Sequence, residues 1–202
     1  MKLRCFVFSA LLLSFALSAH ADVIANTFGP DYGIGPGEWA IQKKPVQEFV
    51  GAHFTPAYRV QFSQIDLSLF SGSQVSNFSI SLTADNNGLP GNPLESWTLQ
   101  LPIGGPDLET FLSQGNTVLE GGKQYWITVS ALDDTTAGAW SYNGLDLVDN
   151  VAFDLGDGWV NIPAQVPAFD VIGNAVPEPG SLTLLAGGTV LGFTLLRRRM
   201  QL

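Results

Sequence analysis

The chain has 202 residues, 46% of them hydrophobic and only 13% charged, with one cysteine, two histidines and a formal net charge of −9. An acidic chain does not hold nucleic acid by phosphate neutralisation, one cysteine cannot staple the fold, and so few cysteines and histidines leave a zinc site short of ligands. The charge is also unevenly spread: between Asp22 and Val176 four basic residues stand against seventeen acidic ones, a net of −13, because the other five basic residues sit at the two ends.

In chain order, Lys2 and Arg4 come first, then an apolar run from Phe6 to Leu17, then Ala19-His20-Ala21. Basic start, apolar core and small-x-small close make a secretory signal peptide over residues 1–21, with Ala19 and Ala21 as its cleavage residues and Asp22 as the new N-terminus. Cys5 precedes the apolar run, so it leaves with the signal, and a lipoprotein signal is not predicted.

Residues 22–173 are about the size of one ordinary domain. Val60, Phe62, Ile65, Leu67 and Leu69 form one apolar face with a slip near Gln64, which predicts a strand with a bulge. Phe78, Ile80 and Leu82 alternate with Ser79, Ser81 and Thr83, a half-buried strand. Turn-forming residues from Asp85 to Pro93 then precede Trp97 and Leu99, which predicts a hairpin with a long tip. Leu108 to Leu112 has the spacing of one helical turn. Gly121-Gly122 leads into Tyr125, Ile127 and Val129, and shorter strands follow at Trp140 and Tyr142, Val151 and Phe153, and Phe169 and Val171. The predicted fold is all-β: an antiparallel β-sandwich, jelly-roll-like.

The chain closes with Val-Pro-Glu-Pro-Gly, an uncharged stretch from Ser181 to Leu196 and then Arg197, Arg198 and Arg199. Pro177 and Pro179 stiffen residues 174–180 into an accessible linker carrying one carboxylate, Glu178. Residues 181–196, as a helix, rise about 24 Å, slightly short of a bilayer core of about 30 Å. They are read as a single transmembrane helix, with 197–202 as a basic cytoplasmic tail and the three arginines as the membrane stop. Pro177-Glu178-Pro179, the apolar helix and the arginine cluster resemble the PEP-CTERM sorting signal of Gram-negative, exopolysaccharide-producing bacteria. That resemblance implies an exosortase-type membrane peptidase as partner, inner-membrane tethering before processing, and removal or exchange of the helix during export. The alternative is a permanent type I membrane anchor.

A second resemblance lies in the domain. Residues Ala84 to Gly91 with Trp97, then Leu119 to Trp126, then Trp140, then Pro167 to Gly173 resemble the choice-of-anchor bacterial surface domains, particularly type R. That likeness spans Val46 to Gly173 and implies a fold and an address, with no activity attached to it.

Little in the domain points to catalysis. His53 is the only histidine after the signal, and a Ser-His-Asp triad would have to use it; it is read as a packed or surface histidine. Glu38, Glu48, Glu95, Glu109 and Glu120 supply carboxylates from which a glycoside hydrolase pair could be drawn. Asp85, Asn86 and Asn87 offer hard oxygen donors for weak calcium binding, although turn geometry explains the same residues. Trp140 and Trp159, near glycine-rich segments, are candidates for stacking on sugar. The sequence therefore leads to an exported, non-enzymatic component of the cell envelope, cell surface or extracellular matrix, associated with an exopolysaccharide or biofilm layer. A carbohydrate-binding module is the second reading and a secreted hydrolase the third.

Overall fold

The computed structural model describes residues 21–72 and 74–176. Period-two alternation dominates this span, and thirteen strands result: β1 (Ala21–Asn26), β2 (Ile34–Gln42), β3 (Phe49–Phe54), β4 (Val60–Ser71), β5 (Ser76–Asp85), β6 (Pro90–Leu101), β7 (Gly104–Leu112), β8 (Val118–Leu119), β9 (Tyr125–Ala131), β10 (Ala137–Asn143), β11 (Val148–Asp154), β12 (Trp159–Gln165) and β13 (Phe169–Ala175). Among the described residues the one helical turn is a 3-10 segment, Pro30–Tyr32. Among the described residues no helix is long and apolar enough to cross a membrane.

The strands pair antiparallel in two sheets. One runs β1-β13-β4-β10-β2, with β7 and β8 on the other edge of β4; the second runs β12-β11-β3-β9-β5-β6. The inward faces of both sheets supply the core. Phe62, Ile65, Leu67, Leu69, Trp140, Phe169 and Val171 come from one, and Val50, Phe78, Ile80, Leu82, Ile127 and Val129 from the other. Each large apolar side chain buried there contributes about 1.5–3 kcal/mol, which is how a cysteine-free domain holds together. The all-β sandwich expected from the sequence is present.

Local details refine that expectation. The slip near Gln64 is a bulge: Ile172 pairs with Gln64 and Gly173 with Phe62, so Ser63 is the extra residue. The β5–β6 hairpin does not have the long tip expected from its turn residues. Asn86 and Leu89 exchange backbone hydrogen bonds of 2.8 and 3.3 Å around Asn87 and Gly88, whose φ values are 56° and 82°. Two positive φ values in succession make a tight primed turn, and Asn-Gly is the dipeptide that adopts it most readily. The prolines lie inside β6 instead, where two register shifts, opposite Leu82/Thr83 and Thr83/Asp85, absorb them.

The helical turn expected at Leu108 to Leu112 is strand β7. Its residues pair with β4 from Gln64↔Leu112 to Ser71↔Gly104, and Phe111, opposite Ile65, is buried. The i, i+4 spacing of the two leucines is coincidental, since both are exposed. The fold also runs past Gly173, because β13 extends to Ala175 and Val176 donates its N–H to the Arg59 carbonyl at 3.0 Å. Residues 174–175, expected in the linker, therefore belong to the sandwich.

Candidate functional site

The tip of the β5–β6 hairpin holds Asp85, Asn86 and Asn87. Asp85 Oδ1 accepts from Trp126 Nε1 at 2.8 Å, from Gly88 N at 3.1 Å and from Gln124 Nε2 at 3.2 Å, and Oδ2 accepts from Gly88 N at 3.0 Å. Asn86 Oδ1 accepts from Asn87 Nδ2, and Asn161 on β12 donates to the Gly88 carbonyl. Asp85 thus fastens the turn to Trp126, which is fully buried and opposite in phase to the inward-facing Tyr125, Ile127 and Val129. A cation at Asp85 would have to displace N–H donors from both carboxylate oxygens. No three acidic, histidine or cysteine side chains converge on a possible metal position among the described residues. The hairpin also rests on Gly51, where a Cβ would lie 3.3 Å from Pro90 Cγ and 3.4 Å from both Ala152 Cβ and Thr128 Cγ2.

Of the two tryptophans considered for sugar stacking, Trp140 is excluded by its burial. It has no exposed surface, packs 6.4 Å from Phe169 centroid to centroid, and donates Nε1–H to the Ala168 carbonyl at 2.8 Å. The neighbouring glycine suggested a loop, but Gly138 is a close-packing position in mid-strand: a Cβ there would lie 2.2 Å from Phe78 Cζ. Trp159 opens the edge strand β12 and is half-buried, after Gly156 and Gly158 at φ 106° and 97°.

His53 lines a cleft of about 160 Å³ with Thr27, Leu147, Val148, Asp149, Asn150 and Val166. Its Nε2 lies 3.5 Å from Asp149 Oδ2, and its ring meets Trp126 edge to face at 5.1 Å. The hydroxyl in this lining, Thr27 Oγ1, already donates towards the Pro167 and Phe169 carbonyls at 2.8 and 3.2 Å. Of the glutamates, Glu95 is buried and accepts from Ser113 Oγ at 2.8 Å and Gln114 N at 2.7 Å, while Glu120 pairs with Arg59 at 3.2 Å.

Sequence reasoning missed a pair of buried carboxylates. Asp66 on β4 and Asp170 on β13 are register partners and are 2% and 3% exposed. Asp66 Oδ1 accepts from Gln64 Nε2 at 2.8 Å and Thr110 Oγ1 at 2.6 Å, and Oδ2 accepts from Gln64 Nε2 at 2.8 Å. Asp170 Oδ1 is buried without a hydrogen-bond partner. Burial, and then the charge of Asp66, push the Asp170 carboxyl up to about 6, against a lowering contribution from the Val171 backbone N–H. Asp66 and Asp170 fall in the polar phase of their strands, between Ile65 and Leu67 and between Phe169 and Val171, so nothing in the alternation marked them as buried, and their pairing needed the register.

The two exits from the fold lie side by side. Ala21 pairs with Asn174 and Asp22 with Gly173, so antiparallel strands β1 and β13 open at the same end of the sheet. Tyr58 donates its hydroxyl to Asp22 Oδ2 at 2.8 Å there. Cleavage after Ala21 would leave the rest of this pairing intact. Ala19, Pro177, Glu178 and Pro179, the segment 181–196 and Arg197 to Arg199 lie outside the described residues.

Comparison with known proteins adds one assignment at this end. Residues 175–199 match the PEP-CTERM protein-sorting motif. No curated protein matches the chain. A chain from the structure of the infectious bursal disease virus Gx strain aligns at 11% identity with a TM-score of 0.33, covering 86% of this chain and 51% of the viral one. This chain thus spans about half the length of that protein, and the similarity is too low to carry an argument. The motif marks a protein for export and for sorting at the membrane of a Gram-negative bacterium by an exosortase-type membrane protease.

Proposed function

We propose that this protein is a non-enzymatic component of the exopolysaccharide or biofilm layer, delivered there after an exosortase-type protease has processed its tail. The observation that carries the reading is the position of the sorting motif. It begins at Ala175, the last residue of β13, so the address label starts at the end of the final strand among the described residues. The side-by-side exits of β1 and β13 support it further, because a signal peptide and a C-terminal anchor would then hold the same end of the sandwich to one membrane face. The net charge of −13 between Asp22 and Val176 favours a hydrated matrix over close contact with anionic lipid.

The domain is of the choice-of-anchor kind, type R, in this reading. The segments that carry that resemblance fall on the β5–β6 turn, on β8 and β9, and on β13. The chain crosses between the two sheets eight times, which supports a jelly-roll-like arrangement. The test is fractionation of native cells with and without the exosortase. The protein is expected in the exopolysaccharide extract of wild-type cells and retained in the inner membrane of the deletion strain. Recovery in the same soluble fraction of both strains would refute the reading.

Carbohydrate contact stands as a second reading and rests on Trp159, half-buried on an edge strand. A glycan array with the wild-type protein and Trp159→Ala distinguishes it from a purely structural role.

A further inference from the structure

We propose that Asp66 and Asp170 form a proton-binding site, in which one proton shared across the β4–β13 ladder clasps the strand that runs directly into the sorting motif. Like charges directly opposite each other in an antiparallel pair are destabilising, and a buried carboxylate without a counter-charge is more so. The surrounding elements supply no relief. β1 places Asn26 opposite Asp170 and carries Asp22 further along; β4 contributes Asp66; β7, beyond it, brings Thr110, Asp107 and Glu109; β10 brings Tyr142. Among the described residues no lysine, arginine or histidine pairs with Asp66 or Asp170.

The hydrogen-bond inventory shows where the proton belongs. Asp66 is placed as the accepting member, since its carboxylate oxygens already accept three contacts from Gln64 and Thr110. Asp170 is the protonated member, since its Oδ1 is buried and has no other donor to meet. The acceptor proposed for its O–H is the register partner Asp66, at Oδ2, the Asp66 oxygen with a single donor. Loss of the proton to water leaves two carboxylates facing each other across the ladder. A divalent cation fits less well: a hard cation takes six to eight oxygens, and here only two carboxylates meet, one of them already engaged.

The direction of the pH effect follows from the raised carboxyl. The folded chain holds the proton up to about pH 6, whereas the unfolded chain releases it near the ordinary value of 3.8. The stability it provides is fully present below the unfolded value and is lost as pH rises through the folded one. Asp133 acts in the opposite sense: hydrogen bonds from Asn77, Thr135 and Thr136 hold its carboxyl well below the usual range, so its contribution disappears only in acid.

The experiment is thermal unfolding of the full chain in mild detergent across pH, native against Asp170→Asn. The native protein is expected to lose about 5 °C in Tm between about pH 5 and pH 7.5 that the variant does not lose. The variant is expected to melt higher at the upper pH, because its amide donates to Asp66 without titrating. Equal pH slopes for the two, or a lower Tm for the variant at the upper pH, would overturn the proposal. So would a calcium-induced rise in native Tm that the variant lacks, which would make the pair a cation site. If the variant does not fold, the carboxyl carbon of Asp170 in the native chain decides by NMR: titration near pH 6 supports the shared proton, and titration near pH 4 refutes it.

Discussion

Gly138 shows how much of this fold turns on single atoms. Its strand β10 lies between β2 and β4, and a methyl group added at 138 would lie 2.2 Å from Phe78 Cζ and 2.5 Å from the Phe70 carbonyl. Backbone cannot yield as a flexible side chain can. We expect Gly138→Ala to cost about 1–3 kcal/mol, the range for overpacked cores, measured by chemical denaturation; an unchanged midpoint would contradict the packing. The same residue explains why Trp140 was misplaced from sequence. Glycine beside tryptophan suggested an exposed loop, whereas both serve the tight approach of β10 to the sheet beneath it. Alternation identified Phe78, Ile80, Ile127 and Val129 correctly as a core face, because a period-two pattern is local. Which polar residues would lie buried together, as Asp66 and Asp170 do, depends on register between strands distant in the chain.

Among the elements, the β5–β6 hairpin carries the plainest local signal and the least expected role. Asn87-Gly88 specifies the turn, and Pro90 and Pro93 are accommodated by shifts within β6. The turn then folds against the sheet, held by Asp85 on Trp126, by Pro90 over Gly51 and by Asn161 at the Gly88 carbonyl. Asp85→Ala would leave the Trp126 N–H unpaired in a buried site. The expected cost is about 1–3 kcal/mol, with tryptophan emission shifted to the red as water reaches the ring. Unchanged stability and emission would show that the carboxylate does not anchor the hairpin. Strand β7 taught the opposite lesson, since Leu108 and Leu112 imitate a helical face and only pairing with β4 shows that Phe111 is the inward residue.

For the molecule as a whole, the C-terminal sorting motif was the most legible feature, because its prolines, apolar stretch and arginines are recognisable without any tertiary context. The chemistry of the domain was less so: its acidic and amide residues serve turns and strand contacts that only the assembled sheets display. The structure joins the two levels by placing the ends of β1 and β13 beside each other, with the PEP-CTERM motif beginning at the last residue of the last strand. The most direct test of sorting at this junction is mass spectrometry of the protein recovered from the envelope of its native host. The mature chain is expected to begin at Asp22 and to have lost the apolar segment and arginines that follow the Pro177-Glu178-Pro179 triplet. A cytosolic protein still running from Met1 to Leu202 would contradict the account.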